Sequence, residues 1–338
     1  MRARLAIFAT LGVALALYLL SSVGWHAVFS AAATVGWAGF ALVCSCSLGV
    51  FLVLGAAWYV LEPRMASYWV FVAARMVRDS VAEVLPFSQL GGIAFGVRAA
   101  IVQGAASPLA SASMIVDVTA EMLAQVAYAL LGVAILTARV PRNSQVASLT
   151  AVCLLGLALA ALAAGLFVFA QRRGDWVATR IIAATEAMTA PLLRAVGQAA
   201  AGVGAALDAI HRSPLRIALS ALLHLAAWIA SAIGPWLAFR LMGARLDLPA
   251  VIAIESLVYA IRSAAFLVPN ALGVQEAAYA LLGPLFGVGA EVALAVSVLK
   301  RARDVTIGVP VLLLWQAAEG RRALARTGAG SQSRRAST

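Results

Sequence analysis

The chain of 338 residues is 63% hydrophobic and 12% charged, against roughly 25% charged in an ordinary soluble domain. Runs of about 20 apolar residues, the length that crosses a bilayer as a helix, recur along it. They exclude a soluble domain and predict an all-α, polytopic integral membrane protein. The net charge of +11 does not point to nucleic acid, because the arginines gather in alternate loops between the apolar runs, the pattern that sets membrane orientation.

In chain order, residues 5–24 form a first span behind Arg2 and Arg4. The run is long, lacks a small-residue cleavage site and is followed by further spans, so it reads as a signal anchor. Residues 36–61 return across the membrane. Residues 67–102 hold two apolar stretches around RDSVAEVLPFSQLGG (78–92), which predicts a broken hairpin with helix breaks at Pro86 and Gly91. A helix over 107–138 and a span over 148–170 follow. The segment 171–216 mixes apolar and charged residues and suits an amphipathic stretch on the inner leaflet. Residues 217–239 cross again, 248–287 form a second broken hairpin around Pro269 and Gly273, and 290–316 make a last helix. The polar, basic tail 319–338 is expected to be disordered. Proline removes an amide donor and turns the preceding residue away from helix. Such a break at membrane depth is tolerated only inside protein or against water.

Placing both termini in the cytoplasm puts the arginines of 171–216 and of the tail on one side, provided each hairpin leaves by the face it entered. The count is then about six full spans plus two re-entrant hairpins in a single domain, 1–318. Units 36–138 and 217–316 share one plan, helix, broken hairpin, helix, and face opposite ways. That suggests an inverted-topology repeat.

Cys44, Cys46 and Cys153 lie in apolar runs and read as packing residues. No disulfide framework, metal-ligand spacing, nucleotide-binding loop or nucleophile elbow is present, so no cofactor or metal is expected. The residues that demand a reason are the charges at membrane depth. The first hairpin carries Arg78, Asp79, Glu83 and Arg98. The next helix stacks Ser113, Asp117, Glu121 and Gln125 on one face by their four-residue spacing. The second hairpin adds Glu255, Arg262, Gln275 and Glu276. The last helix carries Lys300, Arg301, Arg303 and Asp304, with Ser297, Arg301, Asp304 and Gly308 along one stripe. A lone His224 within a span reads as a helix–helix hydrogen-bonding residue.

A charge near the bilayer centre costs about 3 kcal/mol or more, so it pairs with an opposite charge or faces water. Two readings are open. The charges are internal salt bridges, or they line a polar cavity where opposed broken helices meet and a zwitterionic or anionic headgroup passes. Arginine suits the second, because its planar fork grips phosphate or carboxylate with parallel hydrogen bonds. Glu276, Arg262 and Arg301, closed by Asp304, are expected to line one central site.

The stretch FLVPNALGVQEAAYALL, with Pro269, Gly273 and Glu276, resembles the lysylphosphatidylglycerol synthase transmembrane-region family. The longer stretch 256–316 resembles, more narrowly, its hopanoid-biosynthesis-associated HpnL branch. The likeness covers most of 1–318 and is strongest in 78–104 and 255–316. It implies a bacterial inner-membrane protein with re-entrant segments and a role as a lipid flippase. Nothing after residue 318 is expected to form the soluble aminoacyl-transfer domain of full-length synthases. The leading expectation is a transporter moving a polar or hopanoid-related lipid between leaflets without ATP hydrolysis. Its partners are membrane lipids and, by the same resemblance, lipid-biosynthesis enzymes. The alternatives are an intramembrane enzyme modifying lipid headgroups, with Glu276 or Glu255 as general base, and a non-catalytic scaffold.

Overall fold

Proline after an apolar run marks each of the two hairpins, although Pro284 and Pro310 are carried inside helices. The computed structural model describes residues 2–85, 88–141, 144–172, 202–265 and 268–335, and its regular elements there are helical. In order they are α1 (Arg2–Val23), α2 (Trp25–Ala33), α3 (Gly36–Tyr59), α4 (Tyr68–Val84), α5 (Ser88–Val102), α6 (Ser107–Arg139) and α7 (Ser144–Arg172). After a helical stretch at 202–211 come α8 (Pro214–Ser231), α9 (Ile233–Leu241), α10 (Leu248–Ala264), a tight turn over Pro269–Ala271, α11 (Val274–Leu285) and α12 (Ala290–Arg335).

The protein is an all-α, polytopic membrane protein. Among the described residues four segments are long and apolar enough to cross: Gly36–Tyr59, Ser107–Arg139, Val146–Phe169 and Pro214–Leu241. A fifth is counted only if Val13–Val23 and Trp25–Ala33, bent by 86° at Gly24, form one broken span. The last helix is not among them, because Lys300, Arg301, Arg303 and Asp304 interrupt its apolar run. It also continues as helix to Arg335, through the tail that was expected to be disordered. Of the segment read as an amphipathic linker, 173–201 lie outside the described residues. Leu207 and Ile210, beyond them, are buried in the core.

In the first hairpin α4 ends at Val84 and Leu85 is extended (φ −100°, ψ 147°), the conformation that a following proline imposes. Pro86 itself, the expected break, lies outside the described residues. Gly91, expected to share that break, instead lies inside α5. Its neighbour Gly92 explains the pair of glycines: a Cβ there would lie 2.6 Å from the Arg78 carbonyl oxygen, so α4 and α5 close only without a side chain at this point.

The second hairpin starts on Asp247, whose carboxylate accepts from the Ala250 amide at 3.1 Å and caps α10. Hydrogen bonding from Arg139, at the end of α6, holds that carboxyl below the usual carboxylate range. After Ala264 the chain leaves helix. Asn270 (φ 50°) and Ala271 (φ 45°) are left-handed, and Gly273 (φ 76°) precedes α11. Asn and Gly take this conformation readily, whereas Ala271 stores about 1 kcal/mol or more of strain. The four hairpin arms hold 17, 15, 17 and 12 residues. At 1.5 Å per residue each spans about 18–26 Å, short of a hydrocarbon layer of roughly 30 Å.

Two apolar cores surround the hairpins. One gathers Trp58, Phe71, Val77, Ala100, Met114 and Leu312 around α4–α5. The other gathers Tyr128, Phe239, Val251, Leu257, Tyr279 and Val296 around α10–α11. The long helices α6 and α12 run through both. α6 packs against α10 and α12 against α4, a reciprocal exchange of the kind a two-fold relation between the units 36–138 and 217–316 would give. Both crossings use glycine: a Cβ on Gly132 would strike Ser256 of α10, and one on Gly308 would lie 2.5 Å from Val84 of α4.

The close α4–α5 approach sets a measurable contrast. Gly92→Ala is expected to destabilise by about 1–3 kcal/mol through overpacking against backbone. Gly49→Ala, with nothing within 4 Å of a Cβ, is expected to be neutral or to gain up to about 1 kcal/mol of helix propensity. Thermal unfolding of the two purified variants beside the parent checks both signs.

Candidate functional site

The polar residues of α6 and α12 fall where each helix passes from one apolar core to the other. On α6 the first core takes Met114 and Val116, the second takes Tyr128 and Ala129, and Asp117, Glu121 and Gln125 lie between. On α12 the stretch from Lys300 to Asp304 lies between Val296 and Leu312. Helical periodicity turns these residues toward the hairpins, and the hairpins supply the opposite charges.

The tightest group joins α4 to α6. Arg75 reaches Asp79 at 3.0 Å through Nε, Asp117 at 3.2 Å through Nη1 and Glu121 at 2.5 Å through Nη2. Arg78 bonds the same Asp117 Oδ2 at 3.3 Å and the other oxygen of Glu121 at 2.7 Å. Asp117 Oδ1 lies 2.9 Å from Nε2 of His224 on α8. Two arginines thus face three carboxylates, with Asp117 and His224 sealed from solvent and Arg75 only 2% exposed. Ser113, one turn before Asp117, accepts from Trp58, and Gln125, one turn after Glu121, donates to Ser263 of α10 at 2.6 Å.

The hairpin tips meet beside this group. Nη2 of Arg262, near the end of α10, holds both oxygens of Glu83, near the end of α4, at 3.0 and 2.9 Å. Asn270, in the break, donates from Nδ2 to the Glu83 carbonyl at 2.5 Å. Arg303 pairs with Asp304 at 2.6 Å. Glu83, Arg262, Arg303 and Asp304 line a cavity of about 430 Å³. Four arginines (Arg75, Arg78, Arg262, Arg303) and four carboxylates (Asp79, Glu83, Glu121, Asp304) reach it, and Val50, Phe51, Leu54 and Trp228 of α3 and α8 supply an apolar wall. All eight charges thus come from α4, α6, α10 and α12, with both signs in equal number, while α3 and α8 bring none.

Two further charged groups stand behind it. Glu255 receives Lys300 at 2.5 Å and the Tyr279 hydroxyl, and the Lys300 ammonium lies 4.9 and 5.3 Å from the rings of Tyr259 and Tyr279. Glu276 accepts from Ser297 at 3.2 Å and from Arg301 at 3.3 Å. Arg301 also donates to the carbonyls of Asn270 and Ala271, at 2.9 and 3.3 Å, which satisfies backbone groups that the break frees from helix. Among the described residues no three His, Cys, Asp or Glu side chains converge as a metal-ligand set.

The structure redistributes the residues singled out from the sequence. Arg78, Asp79, Glu83, Glu121, Arg262 and Asp304 line the cavity; Asp117 backs it from within the protein. Arg98 does not belong: its side chain is 60% exposed and pairs with Glu319. The expected single site of Glu276, Arg262 and Arg301 is divided, because Arg262 turns to Glu83 and Arg301 to Glu276, with Asn270 between them. Asp304 pairs with Arg303, not Arg301. Glu255 lies in its own buried group. Three residues of the site stand outside the set singled out from the sequence: Arg75, Arg303, which is named only among the charges at membrane depth, and Asn270, which joins Arg262 to Glu83. Arg75 carried a usable signal, since it lies within reach of both Arg78 and Asp79 on one helix face.

Arg75→Gln should lower stability by about 3–5 kcal/mol, because it leaves buried carboxylates without their partner. Arg98→Gln should change it by less than about 0.5 kcal/mol, as expected for an exposed pair. Unfolding midpoints of both variants in one detergent check the contrast, and equal losses would contradict it.

The comparisons fall on the same elements. No curated protein and no solved structure matches the chain. The family model described as the lysylphosphatidylglycerol synthase TM region matches residues 3–312, which takes in both hairpins, the cavity and all of the charged groups behind it. The chain therefore belongs to the lysylphosphatidylglycerol synthase TM region family.

Proposed function

We propose that the protein moves a polar lipid between the leaflets of the bacterial inner membrane, with both termini cytoplasmic, without hydrolysing ATP and without modifying the lipid. The observation that carries this is the two-sided cavity. Its charged wall solvates a headgroup that the hydrocarbon layer would reject, while its apolar wall suits an acyl or polycyclic tail. A zwitterionic headgroup fits the charge distribution. Its anionic part would take Arg262 and Arg303, and a cationic part would take the end where Asp79, Asp117 and Glu121 outnumber Arg75 and Arg78. The membership of a family named for a lipid synthase supports a lipid as the cargo. The resemblance to the hopanoid-associated branch adds a hopanoid-derived lipid as a candidate, and with it lipid-biosynthesis enzymes as partners.

In proteoliposomes carrying a fluorescent zwitterionic phospholipid, Arg262→Gln and Arg303→Gln should slow leaflet exchange about tenfold or more per folded molecule, the worth of one charge-assisted hydrogen bond. Lys300→Gln, behind the cavity, should lower the unfolding temperature yet leave the rate per folded molecule within about twofold. Mass spectrometry of the same lipids should show no new species. A modified headgroup would transfer the site to an intramembrane enzyme.

A further inference from the structure

Every arginine that lines the cavity already holds a carboxylate, so an anion enters only by displacing one. The pairs are not equivalent. Arg75 and Arg78 sit among three carboxylates, and that excess of negative charge repels an anion. Arg303 holds Asp304, its own neighbour in sequence, a contact that joins nothing across the fold. Arg262 holds Glu83 across 179 residues of chain, and here the geometry is incomplete. Both Glu83 oxygens converge on the single nitrogen Nη2, which also reaches Asn270 Oδ1 at 3.4 Å. Among the described residues all hydrogen bonds of Arg262 leave from that nitrogen. The parallel two-nitrogen fork that phosphate and carboxylate prefer is not used. Glu83 is 25% exposed and both residues line the cavity, so a ligand can reach them. The Glu83 backbone is also the acceptor for Asn270, so the same residue ties one hairpin tip to the other.

We propose that Glu83 is a built-in stand-in for the anionic part of the substrate. A phosphate-class group entering the cavity takes the open fork of Arg262, displaces the Glu83 carboxylate, and thereby loosens the α4–α5 tip from Asn270 and the break of the second hairpin. Anion binding and separation of the hairpins are then one event, and linkage makes them reciprocal: whatever loosens the tips also favours the anion. The inference rests on the cavity being the transport site.

The test uses the full chain, with inorganic phosphate as probe for the detergent-solubilised protein, and nanodiscs of either a phospholipid or a phosphate-free galactolipid. Hydrogen exchange is followed at residues 80–85 and 268–277, and phosphate affinity by calorimetry. Phosphate is expected to speed exchange at both tips. Glu83→Gln should bind phosphate about tenfold more tightly, since the competitor is gone, and Arg262→Gln should not bind it. Asn270→Ala, which leaves every charge in place, should raise both tip exchange and phosphate affinity, and it serves if Glu83→Gln fails to fold. Unchanged or weaker phosphate binding in Glu83→Gln and Asn270→Ala overturns the proposal, as does tip exchange that ignores phosphate. Faster tip exchange in phospholipid than in galactolipid discs assigns the anion to a lipid; a response to inorganic phosphate alone assigns it to a free solute. Tip opening without lipid movement in liposomes would leave Glu83 as the competitor and sink the transport reading instead.

Discussion

Two arginines on α4 and two carboxylates on α6, largely buried, fix the middle of this molecule. Arg75 and Arg78 both bond Asp117 and Glu121, so neither helix can slide or rotate without stranding a charge. In a soluble protein an apolar replacement of such a group is often neutral or stabilising. In a membrane protein a stranded charge has little water nearby to accept it, and the group therefore dictates which helices must touch. α4 cannot sit in lipid with those arginines, so it is drawn against α6. The second hairpin is drawn against both through Arg262, Glu83 and Gln125.

The same constraint explains the broken hairpins. Short arms end within the protein, where their tips carry Glu83, Arg262 and Asn270 and where backbone freed from helix needs partners. Arg301 supplies two of those hydrogen bonds to the carbonyls of Asn270 and Ala271. A straight helix through the position of Ala271 would remove the strain there, and it would also remove the acceptors that seat Arg301 beside Glu276. Structure and site are thus two aspects of one arrangement: the layer of charge between the apolar cores is tolerated because it is paired, and it is accessible because the tips leave a cavity beside it.

Much of the fold was legible in the sequence because its signals are local. Proline after an apolar run marks each hairpin, and the four-residue spacing from Ser113 to Gln125 marks the polar face of α6. What was not legible is which charge meets which. Arg262 and Glu83 are far apart in sequence, and nothing local distinguishes Glu83 from Glu276 as the partner. Arg98 and Arg75 look alike in the sequence, each within the first hairpin beside apolar residues, yet one is buried and the other exposed. Helix rotation, set by packing between α4 and α5 at Gly92, separates them. Gly91 is read from the sequence as part of the break after Pro86, yet it lies inside α5. Gly92 beside it serves close approach to α4, which only the neighbouring helix reveals. α12, read from the sequence as a last helix, runs through both cores while carrying Lys300, Arg301, Arg303 and Asp304, so length and hydropathy alone do not recognise it as a span.

Cavity and charge layer both depend on the two hairpins meeting tip to tip in the interior of the protein. Single-particle imaging of the protein in lipid nanodiscs measures this most directly. Glu83 and Asn270 should lie in contact near mid-depth of the disc, with the arginine-lined cavity opening beside them. Hairpin tips resolved apart, at opposite headgroup layers, would contradict it.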